Sequence, residues 1–114
     1  MNDQKSIKTV ITSIKARRSK WHLSHRTKNL LTLSAIGLVE KTALDEIFMM
    51  ISWKDYSAGP LADDHHPPIP GDIWIFGLQI SERECYLKFQ DRPNQTVIWI
   101  SLHIAEHPLQ YPFR

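Results

Sequence analysis

With one cysteine, the chain can form no internal disulfide, and Cys85 sits in an apolar run where a buried small hydrophobe is expected. Four glycines leave no Gly-rich phosphate loop, and no serine occupies a G-x-S-x-G elbow. Nucleotide-dependent and triad-hydrolase chemistry therefore lose their usual support. No apolar run approaches the length that spans a bilayer, and residues 1–20 lack the apolar core of a signal peptide, so a cytoplasmic protein with no membrane partner is expected. Internal repeats are also missing. What remains is 114 residues, 42% apolar and 23% charged, which suits one globular domain with one core.

Charge of one sign is scarce in each half. Residues 1–42 hold nine Lys/Arg against two acids, a net of +7, whereas residues 43–114 hold five against ten, a net of −5. So dense a basic segment suits a polyanion such as RNA, or an acidic protein partner. A solvated helix face is the plainer alternative.

The stretch 72–103 reads as an antiparallel meander. Residues 72–80 (DIWIFGLQI), 84–91 (ECYLKFQD) and 95–103 (QTVIWISLH) are rich in β-branched and aromatic side chains and are separated by short polar or Pro/Asn breaks. In the second run Cys85, Leu87 and Phe89 share one face, and Tyr86, Lys88 and Gln90 the other. In the third, Val97, Trp99 and Ser101 alternate with Ile98, Ile100 and Leu102, which predicts a central strand covered on both faces. Ahead of the meander, residues 1–51 are helical. Ile7, Val10, Ile11 and Ile14 form one stripe of a helix that Asp3 or Ser6 caps and that runs to about Lys20. A second helix covers roughly residues 28–36 and stops at Gly37. A third covers residues 40–51, with Thr42 as a possible cap for a shorter version. Residues 21–27 read as a polar link, residues 53–71 as a long proline-rich loop, and residues 104–114 as an extended tail. Helices followed by a small three-to-four-stranded antiparallel sheet make an α+β domain.

Several histidines invite a metal reading. His103-Ile104-Ala105-Glu106-His107 matches the H-x-x-E-H pattern of inverted zinc peptidases, but that chemistry needs a helix, and Pro108 disfavours helical backbone at His107. His65-His66 lacks partners at standard ligand spacing. No metal and no cofactor are expected. Tyr86, Lys88, His103, His107 and Tyr111, with Arg92 and Arg114 nearby, are the ionisable groups gathered at one sheet. Metal-free RNA cleavage needs such a kit: a base for the 2′-hydroxyl, an acid for the leaving oxygen, and fixed cations for the phosphorane. An exposed strand face with a hydrogen-bonded histidine at its end is the structural alternative.

The runs W-K-D-Y-S-x-G-P-L-x-D, D-I-W-I-F-G, Y-L-K and I-S-L-H-x-A-E-H-P-L-x-Y-P-F, spread over residues 31–114, resemble small bacterial toxins of the MqsR-like group. That resemblance implies a RelE-like ribonuclease fold, mRNA as substrate (free or on the ribosome) and a cognate antitoxin as partner. Its catalytic tyrosine and lysine fall on Tyr86 and Lys88, and its basic residue after the last strand on His103. The family's strand glutamine is replaced by Ile75, and Lys54 lies slightly upstream of the expected loop lysine. The expected catalytic set is His103, Lys88, Tyr86, His107 and Tyr111; the expected RNA contacts are Lys15, Arg17, Arg18, Lys54, Arg92 and Arg114. A non-enzymatic binding module, and a histidine-based metal hydrolase, are the competing readings.

Overall fold

The computed structural model describes residues 3–114; Met1 and Asn2, at the start of the basic segment, lie outside them. Helix α1 spans Gln4–Lys15, and the Asp3 carboxylate caps it by accepting from the Ser6 amide at 2.9 Å. It stops short of Lys20 because Trp21 has to enter the sheet; a 3₁₀ turn, Arg18–Lys20, makes the change of direction. Helix α2 spans Thr27–Ile36 and ends at Gly37, whose φ of 73° is the left-handed C′ conformation that glycine accepts without strain. Helix α3 spans Glu40–Met50, and the Thr42 hydroxyl accepts from the Val39 amide at its start. No helix among the described residues is long and apolar enough to cross a membrane.

The domain is α+β, but its sheet is larger than the meander. Five strands, β1 (Trp21–Leu23), β2 (Tyr56–Leu61), β3 (Asp72–Ile80), β4 (Arg83–Asp91) and β5 (Val97–Ile104), lie in the order β1-β5-β4-β3-β2. The expectation of three or four antiparallel strands is corrected at both edges. Trp21–Leu23, read as a polar link, pairs parallel to β5, because Trp21 and Leu23 point into the core and only His22 points out. Tyr56–Leu61, read as loop, pairs with β3 across two register shifts, and Pro60 is tolerated because this is an edge strand. β5 is interior as expected, flanked by β1 and β4, although the middle strand of the five is β4.

One face of the sheet carries the core. Ile7, Ile11 and Ile14 of α1 and Ala43, Leu44 and Ile47 of α3 pack against it with Phe76, Phe89 and Trp99. The Phe89 and Trp99 ring centroids are 4.9 Å apart, and Trp21 lies 4.8 Å from Trp99. The opposite, outer face carries Tyr86, Lys88 and Gln90.

A bulge in β5 decides which residues reach that outer face. Phe89 pairs with Trp99, yet Lys88 pairs with Ser101, so Ile100 is the extra residue. Strict alternation from buried Trp99 would send His103 into the core. After the bulge, Leu102 is the residue that is fully buried, while Ser101 and His103 face outward beside Lys88 and Tyr86. The bulge also interrupts β5's pairing on its other side, where β1 has ended. Asn29 of α2, fully buried, fills the gap: its Nδ2 donates to the Ile100 and Ser24 carbonyls at 3.0 and 2.9 Å, and its Oδ1 accepts from the Leu102 amide at 3.0 Å. A helix side chain stands in for a missing strand.

Beyond β5 the tail runs back across the outer face. Gly77 leaves room for it; a Cβ there would come within 2.0 Å of the Tyr111 hydroxyl. Tyr111 donates to Glu84 at 2.7 Å, Phe113 stacks on Tyr56, and Arg114 pairs with Asp55 at 2.7 Å.

Asn29→Ala is expected to cost roughly 2 kcal/mol in urea unfolding, because the Leu102 amide is left buried and unpaired and the Ile100 carbonyl keeps only a long contact of 3.4 Å from Arg26. A loss below about 0.5 kcal/mol, the range of an ordinary surface substitution, would show that the bulge does not need this side chain.

Candidate functional site

Tyr86 and His103 are direct cross-strand partners on β4 and β5. Their rings stack with centroids 5.0 Å apart and planes inclined by 18°. The His103 Nδ1 lies 3.0 Å from the Ile104 carbonyl oxygen and donates to it, which leaves Nε2 with its lone pair outward. Burial pulls the His103 pKa below 6.5, and the charges of Lys28 and Arg26 push it the same way, so the ring is neutral at pH 7. Burial moves the Tyr86 phenol upward, so it keeps its proton. Among the described residues the Tyr86 hydroxyl and the Lys88 ammonium have no hydrogen-bonding or ionic partner, and Lys88 follows Tyr86 on the same face.

Cations from α2 flank this group. Arg26 reaches across β5 to the Ser101 hydroxyl at 3.2 Å, and Lys28 forms an ion pair with Glu106 of the tail. Two hollows open on the same face. One, of about 340 Å³, lies over Tyr86 and His103 and is walled by Glu106, His107 and Leu109. The other, of about 510 Å³, lies past Lys88 and is bounded by Arg26, Arg92, Ile98, Ile100 and the loop around His65.

Of the expected catalytic set, Tyr86, His103 and His107 meet in the smaller hollow and Lys88 adjoins them. Tyr111 does not join as a free acid or base. Burial and the hydrogen bond to Glu84 hold its phenol protonated far above the ordinary tyrosine range, and it works as a strap. Of the expected RNA contacts, only Arg92 borders this face. Arg17 is bound to Asp91 at 2.8 Å and Arg18 to Asp45 at 2.7 Å, ion pairs that fasten the end of α1 to β4 and α3. Lys15 lies over the Phe48 ring, Lys54 over Trp53, and Arg114 over Tyr111. The basic segment is largely spent on holding the fold.

Arg26, Lys28 and Asn29 escape a reading along the strands, because they lie at the start of α2, which meets β5 beside the bulge. The one available signal is the spacing of Trp99 and Leu102, two large apolar residues three apart in a strand, which strict alternation does not allow on one face.

No family model, curated protein or solved structure matches the chain. Its chemistry has to be read from geometry alone. The H-x-x-E-H run makes no zinc-peptidase site: His103 is on a strand, His107 is in the tail, and Glu106 is engaged by Lys28. Among the described residues the only group of three or more that brings metal-type donor atoms within 4.8 Å of one another is Asp63, Asp64 and His65. The Asp63 carboxylate there already accepts from the Ile69 and His65 amides.

In an NMR titration the His103 ring is expected to protonate with a midpoint below 6.5, and Lys28→Met should move that midpoint upward by removing a repelling charge. A midpoint above 6.5 would mean that the ring is solvated or paired with an acid. The same shift has a stability sign: the folded protein resists protonating this ring, so its contribution is full above pH 6.5 and fades as pH falls through the folded midpoint.

Proposed function

We propose that this protein is a metal-independent endoribonuclease, the toxin of a type II toxin–antitoxin pair, built on a RelE-like variant of the α+β fold and akin to the MqsR-like group. The single observation that carries the reading is the Tyr86–His103 cross-strand stack with an unpaired Lys88 beside it. Three side chains with three different proton chemistries share one exposed face, and each is held by a strand rather than by a loop.

In the reaction, His103 Nε2 removes the proton from a ribose 2′-hydroxyl. The 2′-oxygen attacks phosphorus, and the bond to the 5′-oxygen breaks. Tyr86 supplies a proton to that leaving oxygen, and the Lys88 ammonium balances the added charge on the phosphorane. The products are a 2′,3′-cyclic phosphate and a 5′-hydroxyl, and a proton passing from imidazolium to phenolate restores the starting state. Arg26 and Lys28 extend the positive field along the strand, where flanking phosphates position the chain without reading its sequence. An acidic antitoxin segment laid over this face would neutralise it, and the cytoplasm, where mRNA and ribosomes are met, is the compartment this reading requires.

His103→Ala is expected to fold normally and to lose cleavage by roughly 10²–10⁴-fold, with Lys88→Ala losing a comparable amount. Cleavage should survive EDTA, and its acid limb should lie below pH 6.5, because the base stays unprotonated down to its lowered pKa. Growth arrest on induction that persists undiminished in His103→Ala would contradict the proposal.

A further inference from the structure

The larger hollow lies past Lys88 along the same strands and is not needed for the proton transfers just described. Its floor is apolar: Ile98 and Ile100 of β5 are half-buried and lie on the outer face. The bulge contributes here too, because it is what lets Ile100 and Ser101 point to the same side. Arg26, Lys88 and Arg92 bring three positive charges to its rim.

Its far wall is the segment 62–71, and that wall is anchored. Gln90 rises from the floor, 1% exposed, and its Nε2 donates to the Ile69 and Gly71 carbonyls at 2.9 and 3.1 Å. Its Oε1 accepts from Arg92 Nε at 3.0 Å, which fixes that guanidinium as well. Within the wall, Asp63 is used up internally: it accepts from the Ile69 amide at 2.8 Å and from His65 Nδ1 at 2.8 Å. The neighbouring Asp64 is not. Its side chain is 95% exposed, its nearest ionic partner is His65 Nδ1 at 3.8 Å, and it lines the hollow.

An apolar floor, three cations and one uncommitted carboxylate match the parts of a nucleotide. The geometry points to a base-reading subsite for the RNA nucleotide next to the scissile phosphate, with Asp64 selecting bases that carry an exocyclic amino group. The base lies on Ile98 and Ile100, and its phosphate meets Lys88 and Arg92. A carboxylate accepts from the N4 amino group of cytosine. Uracil presents a carbonyl oxygen at the same place, so two acceptors would face each other without a proton between them, and the mismatch acts as rejection. This subsite deepens the ribonuclease reading and rests on it for the identity of the ligand.

The test uses the full chain and its His103→Ala variant, which binds without cutting. Fluorescence anisotropy with oligocytidylate and oligouridylate of equal length is expected to show about tenfold tighter binding of the cytidine strand, in the range for one good base contact. Asp64→Ala, at an exposed position with no hydrogen bond to the fold, should remove that preference by weakening cytidine binding and relieving the rejection of uridine, so that the two strands bind alike. In the cleaving protein the same substitution should flatten base choice beside the cut site. Equal binding of the two strands, or a cytidine preference that survives Asp64→Ala, overturns the subsite. If the protein cuts RNA yet shows either result, the ribonuclease reading stands and the subsite falls. If it cuts no RNA but keeps an Asp64-dependent cytidine preference, the subsite stands and the cleavage reading falls.

Discussion

The structure turns on one extra residue in one strand and the buried amide that tolerates it. Without Ile100 as a bulge, the alternation of β5 would carry His103 into the core and bring Leu102 out. Asn29 makes the bulge affordable by meeting the backbone groups that β1 is too short to reach. Since Arg26 caps α2 and Lys28 is in its first turn, the helix that repairs the sheet also delivers cations to it. Fold and site are thus tied at one place. A change that loosens α2 from β5 would move His103 and its electrostatic surroundings together.

The two faces of the sheet divide the labour. The inner face is continuous aromatic and aliphatic packing, with Cys85 buried there and its thiol pushed up to about 11 by burial, inert to chemistry near neutrality. Among the described residues no helix lies over the outer face. It is covered only in part, by the tail that crosses at Gly77 and by the loop that Gln90 holds down. Those two coverings leave the strip from His103 to Ile98 open between them, with Lys88 in the middle. The stacked Tyr86–His103 pair at one end of the strip and a walled hollow at the other make an arrangement that suits an extended, flexible polymer better than a compact ligand.

Much of this was legible in the sequence because it follows from periodicity. The three meander strands, the stripe of α1, the Gly37 stop and the outward set Tyr86, Lys88 and Gln90 come from spacings of two and 3.6 residues. The edge strands were not legible. Three residues are too few to show alternation, and Tyr56–Leu61 contains Gly59 and Pro60, which ordinarily argue against a strand. Nor was the use of the basic residues. Sequence places Arg17 and Arg18 in a cationic segment, but Asp91 and Asp45, which neutralise them, lie 74 and 27 residues away. The bulge sits between these cases: its trace is a broken alternation that is readable only when two buried anchors, Trp99 and Leu102, are known.

The central claim is that RNA engages the outer face at the bulge and not the basic end of α1. The most direct measurement is an NMR titration of isotope-labelled protein with a short single-stranded RNA whose 2′-hydroxyls are methylated, so that it binds without reacting. The account predicts shifts concentrated at Tyr86, Lys88, Ser101 and His103, extending to Arg92 and Ile98, with the amides of Lys15, Arg17 and Arg18 unmoved. Shifts confined to α1 and its following turn, with the outer face silent, would contradict it.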